Sequence, residues 1–328
     1  MPNKFSWKKL EKPFVCLAPM AGYTDSAYRQ IVKDIAPNTI CYSELTSINA
    51  LEHGSKKTEK MLEIHPSEHP IIMQLFGNDL DYFVQASKKL EKAGADGIDI
   101  NMGCPAPKIT KSCYGSAILK DPDLAGRIVE ALSKSTSLPI SVKMRIGYSE
   151  YEEKHFIKII KTIQKAGASA ITIHGRTTSQ AYSGEADFEP IYLAKSILKI
   201  PVIGNGDIDS PEKAIQRLTS PDGKITLDGL MIGRASIGNP WLLQEIYKTT
   251  TKTTAPKPFA KKLPTIKHHL SLAIKLYGER GGLLEMRKHL AGYIHGIPNA
   301  SKYRQEIMQA ESQKDVLKIL SEIAKEIA

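Results

Sequence analysis

The sequence predicts an α/β fold, a (β/α)8 barrel of the TIM type followed by a C-terminal helical domain. Two observations predict it. Eight short apolar runs begin at residues 14, 39, 70, 97, 139, 170, 201 and 229, with successive starts 25 to 42 residues apart. Between them lie polar segments with apolar residues at spacings of three and four, the pattern of an amphipathic helix. One strand and one helix fill such an interval, and near-continuous apolar strands are what a parallel sheet buried on both faces requires.

The runs, in order, are FVCLAPM, TICYSEL, PIIMQLFG, GIDINMG, PISVKMRIG, AITIHGRT, PVIGNGDI and GLMIGRA. Segments 79–95 and 152–168 show the helical spacing and each ends in Ala-Gly-Ala, where glycine can take the left-handed position that closes a helix. A doubly wound fold is the weaker alternative, because Gly204-Asn205-Gly206 lacks the third glycine of a dinucleotide fingerprint. Residues 237–248 read as the closing helix and the Thr/Lys/Pro-rich stretch 249–264 as a linker. Three or four amphipathic helices follow. The expected division is a barrel over residues 1–250 and a basic helical domain over 255–328.

Composition narrows the class. The chain has 328 residues, 41% hydrophobic and 24% charged, which excludes disordered, collagen-like and coiled-coil chains. It has no apolar run long enough to span a membrane and no secretory signal pattern at its N-terminus. Four cysteines, with no CxxC pair, form neither a disulfide framework nor a zinc site, so the expected setting is a reducing cytoplasm and the expected metal content is none. Nothing in the sequence calls for an obligate protein partner. The net charge is +10, and residues 255–328 hold 13 Lys and Arg against 7 Asp and Glu, more than half of that excess. A basic appendage on a near-neutral body fits either a polyanionic partner or a solvated surface.

In such a barrel, chemistry sits where strands give way to βα loops. The polar residues there are Pro19-Met20-Ala21, Glu44, Gln74, Asn101 to Pro105, Lys143 and Arg145, His174 and Arg176, Asn205-Gly206-Asp207, and Gly233-Arg234. The glycine turns of the last two strands suit a phosphate, whose oxygens take backbone N–H groups; the alternative is that they only turn the chain. Lys143 and His174 neighbour them, and the Gln74 amide can both donate to and accept from a planar heterocycle. Cys104, between Gly103 and Pro105, is set at an abrupt turn, and a thiol that stays protonated at neutral pH can donate a proton. Cys16 and Cys41 read as buried hydrophobes. Cys113 is undecided between a packed and a redox-active role. No Ser/His/Asp order, HExxH spacing or glycosidase carboxylate pair is present.

The blocks APMAGYTD (18–25), DINMGCPAPKITKSCYGSAIL (99–119), VKMRIG (142–147), TIHGRT (172–177), GNGDI (204–208) and MIGRASIGNPW (231–241) resemble the tRNA-dihydrouridine synthases, most closely their bacterial branch. The likeness runs over essentially the whole chain. It implies an enzyme that binds FMN, takes electrons from NADPH and reduces the C5–C6 double bond of particular uridines in tRNA. It further implies that Pro19, Met20, Ala21, Gln74 and Lys143 contact the flavin ring and that His174 also contacts FMN. Asn205, Gly206, Asp207, Gly233 and Arg234 would hold the ribityl chain and phosphate. Cys104 would donate the proton, and Asn101 and Arg176 would face the uracil. The base must then be flipped into the mouth, with His268, His269, Lys275, Arg287, Lys288, Lys302 and Arg304 as candidates for gripping the tRNA backbone. Departures from the family pattern are Ser26 to Arg29, Cys113 and a long 219–230 connection. Two competing readings are an FMN barrel acting on a free pyrimidine, like dihydroorotate dehydrogenase, and a non-catalytic RNA-binding barrel. The basic tail argues against the first, and Cys104 against the second.

Overall fold

The computed structural model describes residues 5–249 and 259–327. Its strands are β1 (Phe14–Leu17), β2 (Ile40–Tyr42), β3 (Thr46–Ser47), β4 (Ile71–Phe76), β5 (Gly97–Met102), β6 (Ile140–Gly147), β7 (Ala170–Thr177), β8 (Val202–Asn205) and β9 (Gly229–Ile232). All pairings between them are parallel, and β1 bonds to both β2 and β9, so the sheet closes into a ring. Eight strands form that ring, as the spacing of the runs predicts. The two-residue β3, which the sequence did not announce, attaches only to β4.

Apolar residues on both faces of each strand fill two cores. Cys16, Tyr42, Ile72, Ile203 and Met231 pack inside the ring, and Trp7 closes it from below against Phe14 and Tyr42, with ring centroids 5.7 and 6.4 Å away. Outside, Leu75, Ile100, Val142 and Ile173 meet Phe83, Leu90, Ile128 and Ile160 of the helices. Each such side chain contributes about 1.5–3 kcal/mol on burial. Helix Leu80–Ala93 starts where the Asp79 carboxylate accepts the Tyr82 N–H and stops at Gly94, whose φ of 86° is left-handed. The Ala-Gly-Ala ending thus acts as its composition predicts.

The strand limits correct one expectation. Gln74, Lys143 and His174 do not end their strands: β4, β6 and β7 run on by two, four and three residues. The linker reading also changes. Residues 250–258, with the expected start at 255, lie outside the described residues, and from Phe259 the chain is already helical.

The C-terminal region contains helix Phe259–Tyr293, broken at Gly278 (φ 75°, ψ 167°), then Ala300–Gln309 and Gln313–Glu326. Ile266, Leu270, Met286, Leu290, Tyr303, Val316 and Leu320 form its core, which Ala27 and Trp241 of the barrel part join. Gly238 lies so close to the backbone of Gly292 that an added Cβ would come within 2.4 Å of it. Among the described residues, no helix is long and apolar enough to cross a membrane.

Candidate active site

The turn after β5 carries Cys104, and its backbone is held on every side. Asn101 Oδ1 accepts from the N–H groups of Gly103 (3.1 Å) and Cys104 (2.9 Å). Arg145 Nε donates to the Gly103 carbonyl at 2.8 Å, and the Ser116 hydroxyl and N–H both donate to the Cys104 carbonyl. Gly115, at φ 58°, lets the loop fold back, since a Cβ there would lie 3.0 Å from the Cys104 carbonyl. Cys104 itself is half-buried. Burial pushes its thiol pKa up, against the opposing pull of the Ala106 amide, Arg145 and Lys143. The thiol therefore carries its proton at neutral pH.

Behind this turn lies a buried polar chain. Asn101 Nδ2 donates to Gln74 Oε1 at 2.8 Å, and Gln74 Nε2 donates to Asp99 Oδ2 at 2.7 Å. Ser141 Oγ donates to the other Asp99 oxygen at 2.7 Å. Asp99 and Gln74 are wholly buried.

Across the mouth, Lys143 Nζ donates to Asn205 Oδ1 at 3.0 Å, while Asn205 Nδ2 donates to the Met231 carbonyl. Burial and the Arg145 charge pull the Lys143 pKa down to about 8, against Asp99 and Cys104. His174 is driven to about 2 by burial and by the charges of Lys143, Arg145, Arg176 and Arg234, so its imidazole is neutral. Asp207 accepts from both terminal nitrogens of Arg176 and from the Ala186 N–H, and pairs with Arg234 at 3.4 Å. Burial would raise its pKa, but Arg176, Ala186 and Arg234 together hold it low.

The sequence-derived set is thus brought together, with three differences in posture. Gln74, expected to offer its amide to a heterocycle, is wholly buried and bonded to Asp99 and Asn101. Arg176, expected to face a base, is 2% exposed, and all its N–H groups are engaged by Asp207, His174, Ser183 and Gly184. The Asp207 carboxylate is spent on those arginines, which leaves its backbone N–H for a ligand. Two residues that the sequence placed at the mouth without a role, and one that it missed, complete the set. Glu44 accepts the Gly22 N–H and so fixes the segment after Met20 and Ala21. Arg145 Nη2 makes no hydrogen bond among the described residues, and its guanidinium lies 5.8 Å from the ring of Tyr182. Tyr182 is 57% exposed at the rim, with Arg234 over its ring at 4.5 Å. An exposed aromatic in a loop has no periodicity to announce it.

The fit to a flavin phosphate rests on the turns after β8 and β9. The N–H groups of Gly206, Asp207, Gly233 and Arg234 donate to nothing among the described residues. Gly206, at φ 129°, brings the backbone within contact of His174 and Ala186, where a Cβ would lie 2.5 Å from Ala186 Cβ. Unpaired N–H groups beside Lys143 and Arg234 are an anion-binding donor set.

A closed barrel with its polar residues gathered at one mouth defines an α/β-barrel enzyme. The family model described as "Dihydrouridine synthase (Dus)" matches residues 16–328. Curated relatives include a "Probable tRNA-dihydrouridine synthase 1" of Synechocystis sp., 38% identical over 92% of this chain and 83% of that protein. A "tRNA-dihydrouridine synthase B" of Pseudomonas syringae pv. tomato is 35% identical over 88% and 84%. Among solved structures, a variant of NCR from Zymomonas mobilis superposes with a TM-score of 0.52 at 18% identity, covering 77% of this chain and 94% of that one. A morphinone reductase mutant in complex with tetrahydroNAD gives 0.51 at 14% identity, covering 75% and 89%. These two likenesses show the barrel fold. The chain belongs to the dihydrouridine synthase family, and it is an oxidoreductase that converts uridine to dihydrouridine.

Proposed function

We propose that this protein binds FMN across the C-terminal mouth of the barrel, uses NADPH as electron donor and reduces uridines within tRNA, with Cys104 as proton donor. The observation that carries the reading is the anchored turn that keeps a protonated thiol at the mouth, facing a cationic set of turns suited to a phosphate. Pro19, Met20 and Ala21 would line the ring, with Gln74 supporting it from behind through Asn101, and Lys143 would place a positive charge at its pyrimidine end. His174, Asn205, Gly206, Asp207 (through its N–H), Gly233 and Arg234 would hold the ribityl phosphate. When bound, the flavin supplies hydride to C6 of the uracil.

The protein's own task is the second half of the addition. Negative charge develops on the uracil at C5 as C6 receives hydride, and the Cys104 Sγ–H delivers the proton there. Its raised pKa keeps the proton available. Asn101 retains one N–H beyond its bond to Gln74 and would touch the base. Arg176, fully engaged, would instead hold Asp207 in place, and Arg145, equally buried but with its Nη2 unbonded among the described residues, would take the cationic contact with the base. Tyr182 would flank the flipped base, because every base offers a π-face to an aromatic ring.

The barrel over 1–250 would be the catalytic domain, and the helical part from 255 to 328 would grip tRNA. Lys275, Lys302 and Arg304 remain candidates for phosphate contact; His269 does not, being buried between Tyr28, His289 and Tyr293. The test is simple. Purified protein is expected to be yellow and to release FMN on denaturation, and the loaded protein to form dihydrouridine in tRNA with NADPH. Protein that gains no flavin absorbance from added FMN contradicts the reading.

A further inference from the structure

We propose that Asp99 is a positioning residue for Cys104, acting through Gln74 and Asn101; the inference rests on Cys104 being the proton donor. Asp99 is a carboxylate with no exposed surface and no salt bridge among the described residues, set inside the ring with buried Gln74 and Ser141 as its hydrogen-bond partners. Such a group costs stability even when hydrogen-bonded, so packing alone does not explain it. What it does is visible in the direction of the hydrogen bonds. An ionised carboxylate only accepts, so Gln74 must turn its NH2 inward, at 2.7 Å, and its carbonyl outward. That carbonyl accepts only the NH2 of Asn101, at 2.8 Å, which leaves the Asn101 carbonyl for the N–H groups of Gly103 and Cys104. Those N–H groups only donate, so the chain is fixed at both ends and neither amide can flip.

The effect falls on the turn. Arg145 and Ser116 hold the carbonyls of Gly103 and Cys104, and the chain from Asp99 holds their amides. With both sides of the peptide planes fixed, the direction of the Cys104 side chain is fixed too. Burial moves Asp99 up to about 6, with Gln74, Ser141 and Lys143 holding it down, so it is an acceptor at neutral pH.

The experiment uses the full chain and two readings. The first is iodoacetamide alkylation of Cys104 without NADPH or tRNA, followed on its tryptic peptide, which ends at Lys108 and so excludes Cys113. The second is single-turnover oxidation of the reduced enzyme by tRNA. Asp99→Ala is expected to speed Cys104 alkylation about tenfold, leave Cys113 unchanged and slow the tRNA step about a hundredfold. Asp99→Asn, whose Oδ1 can still accept from Gln74, should stay within about threefold of the parent. Adding Asp99→Ala to Asn101→Ala should change nothing further, because both cut the same chain. Unaltered Cys104 alkylation in folded Asp99→Ala, or additive losses in the double variant, overturns the proposal. Should Asp99→Ala not fold, Ser141→Ala loosens the same carboxylate and should speed alkylation about threefold; no increase overturns the proposal equally. A parent enzyme that forms no dihydrouridine in tRNA would count against the reaction, while the alkylation rates still judge the relay.

Discussion

Burial acts in opposite senses on the two titrating side chains of the mouth. It keeps the Cys104 thiol protonated and makes the Lys143 ammonium easier to discharge. Lys143 is charged below its pKa and loses that charge as pH rises through about 8. Affinity of the flavin-free protein for FMN is therefore expected to weaken between pH 7 and 9.5, and Lys143→Met to abolish that slope; a flat profile in the parent would refute the assignment. Arg176 makes a second test. Its fork grips both oxygens of Asp207, which lysine cannot reproduce. Arg176→Lys should lower stability by about 3 kcal/mol in urea unfolding and weaken FMN binding, whereas a residue that merely faced the base would leave both unchanged. That posture was not legible in the sequence, because Asp207 stands 31 positions away and only the parallel pairing of β7 with β8 brings the pair together. Cys104 was legible, because glycine before and proline after it leave the chain few ways to turn.

At the scale of elements, the eight runs foretold the ring, since strands buried on both faces must be apolar throughout. Their exact ends were not legible: polar Gln74, Lys143 and His174 read as boundaries, yet they lie within strands because a barrel interior can hold polar side chains near its mouth. The Thr/Lys/Pro stretch misled for a related reason, as helix resumes at Phe259 despite Pro264. Two joints can be tested. Gly238 has φ 66° and touches Gly292, so Gly238→Ala strains the backbone and wedges the helical part away from the loop after β9. It is expected to cost more than about 2 kcal/mol, read as a lower midpoint in urea. On the opposite end of the barrel, buried Asp228 pairs with Lys12 and Lys195. Burial alone would raise its pKa, but these lysines and the Val202 amide hold it below the usual value. Its contribution is present above about pH 4 and lost as pH falls through the depressed folded pKa. Asp228→Asn should remove that part of the acid limb, and an unchanged limb would show the pair to be idle.

At the scale of the whole molecule, the proposed reading assigns the tRNA backbone to the basic helical part. The helical part carries most of the net charge, and its seam with the barrel runs through Tyr28, which hydrogen-bonds the Ser236 carbonyl and stacks on His269 and His289. Replacing Lys275, Lys302 and Arg304 together with glutamine should weaken tRNA binding and flatten log Kd against log salt by about 0.7–0.9 for each phosphate no longer neutralised. An unaltered slope would move the tRNA footprint elsewhere. The proposed chemistry turns on the Cys104 sulfur. Enzyme reduced with NADPH is mixed with tRNA lacking dihydrouridine, and flavin oxidation is followed through one turnover in the parent and in Cys104→Ala. The variant is expected to bind FMN and tRNA as the parent does but to be oxidised by tRNA at least about a hundredfold more slowly. Oxidation at the parent rate, with dihydrouridine formed, would contradict that chemistry.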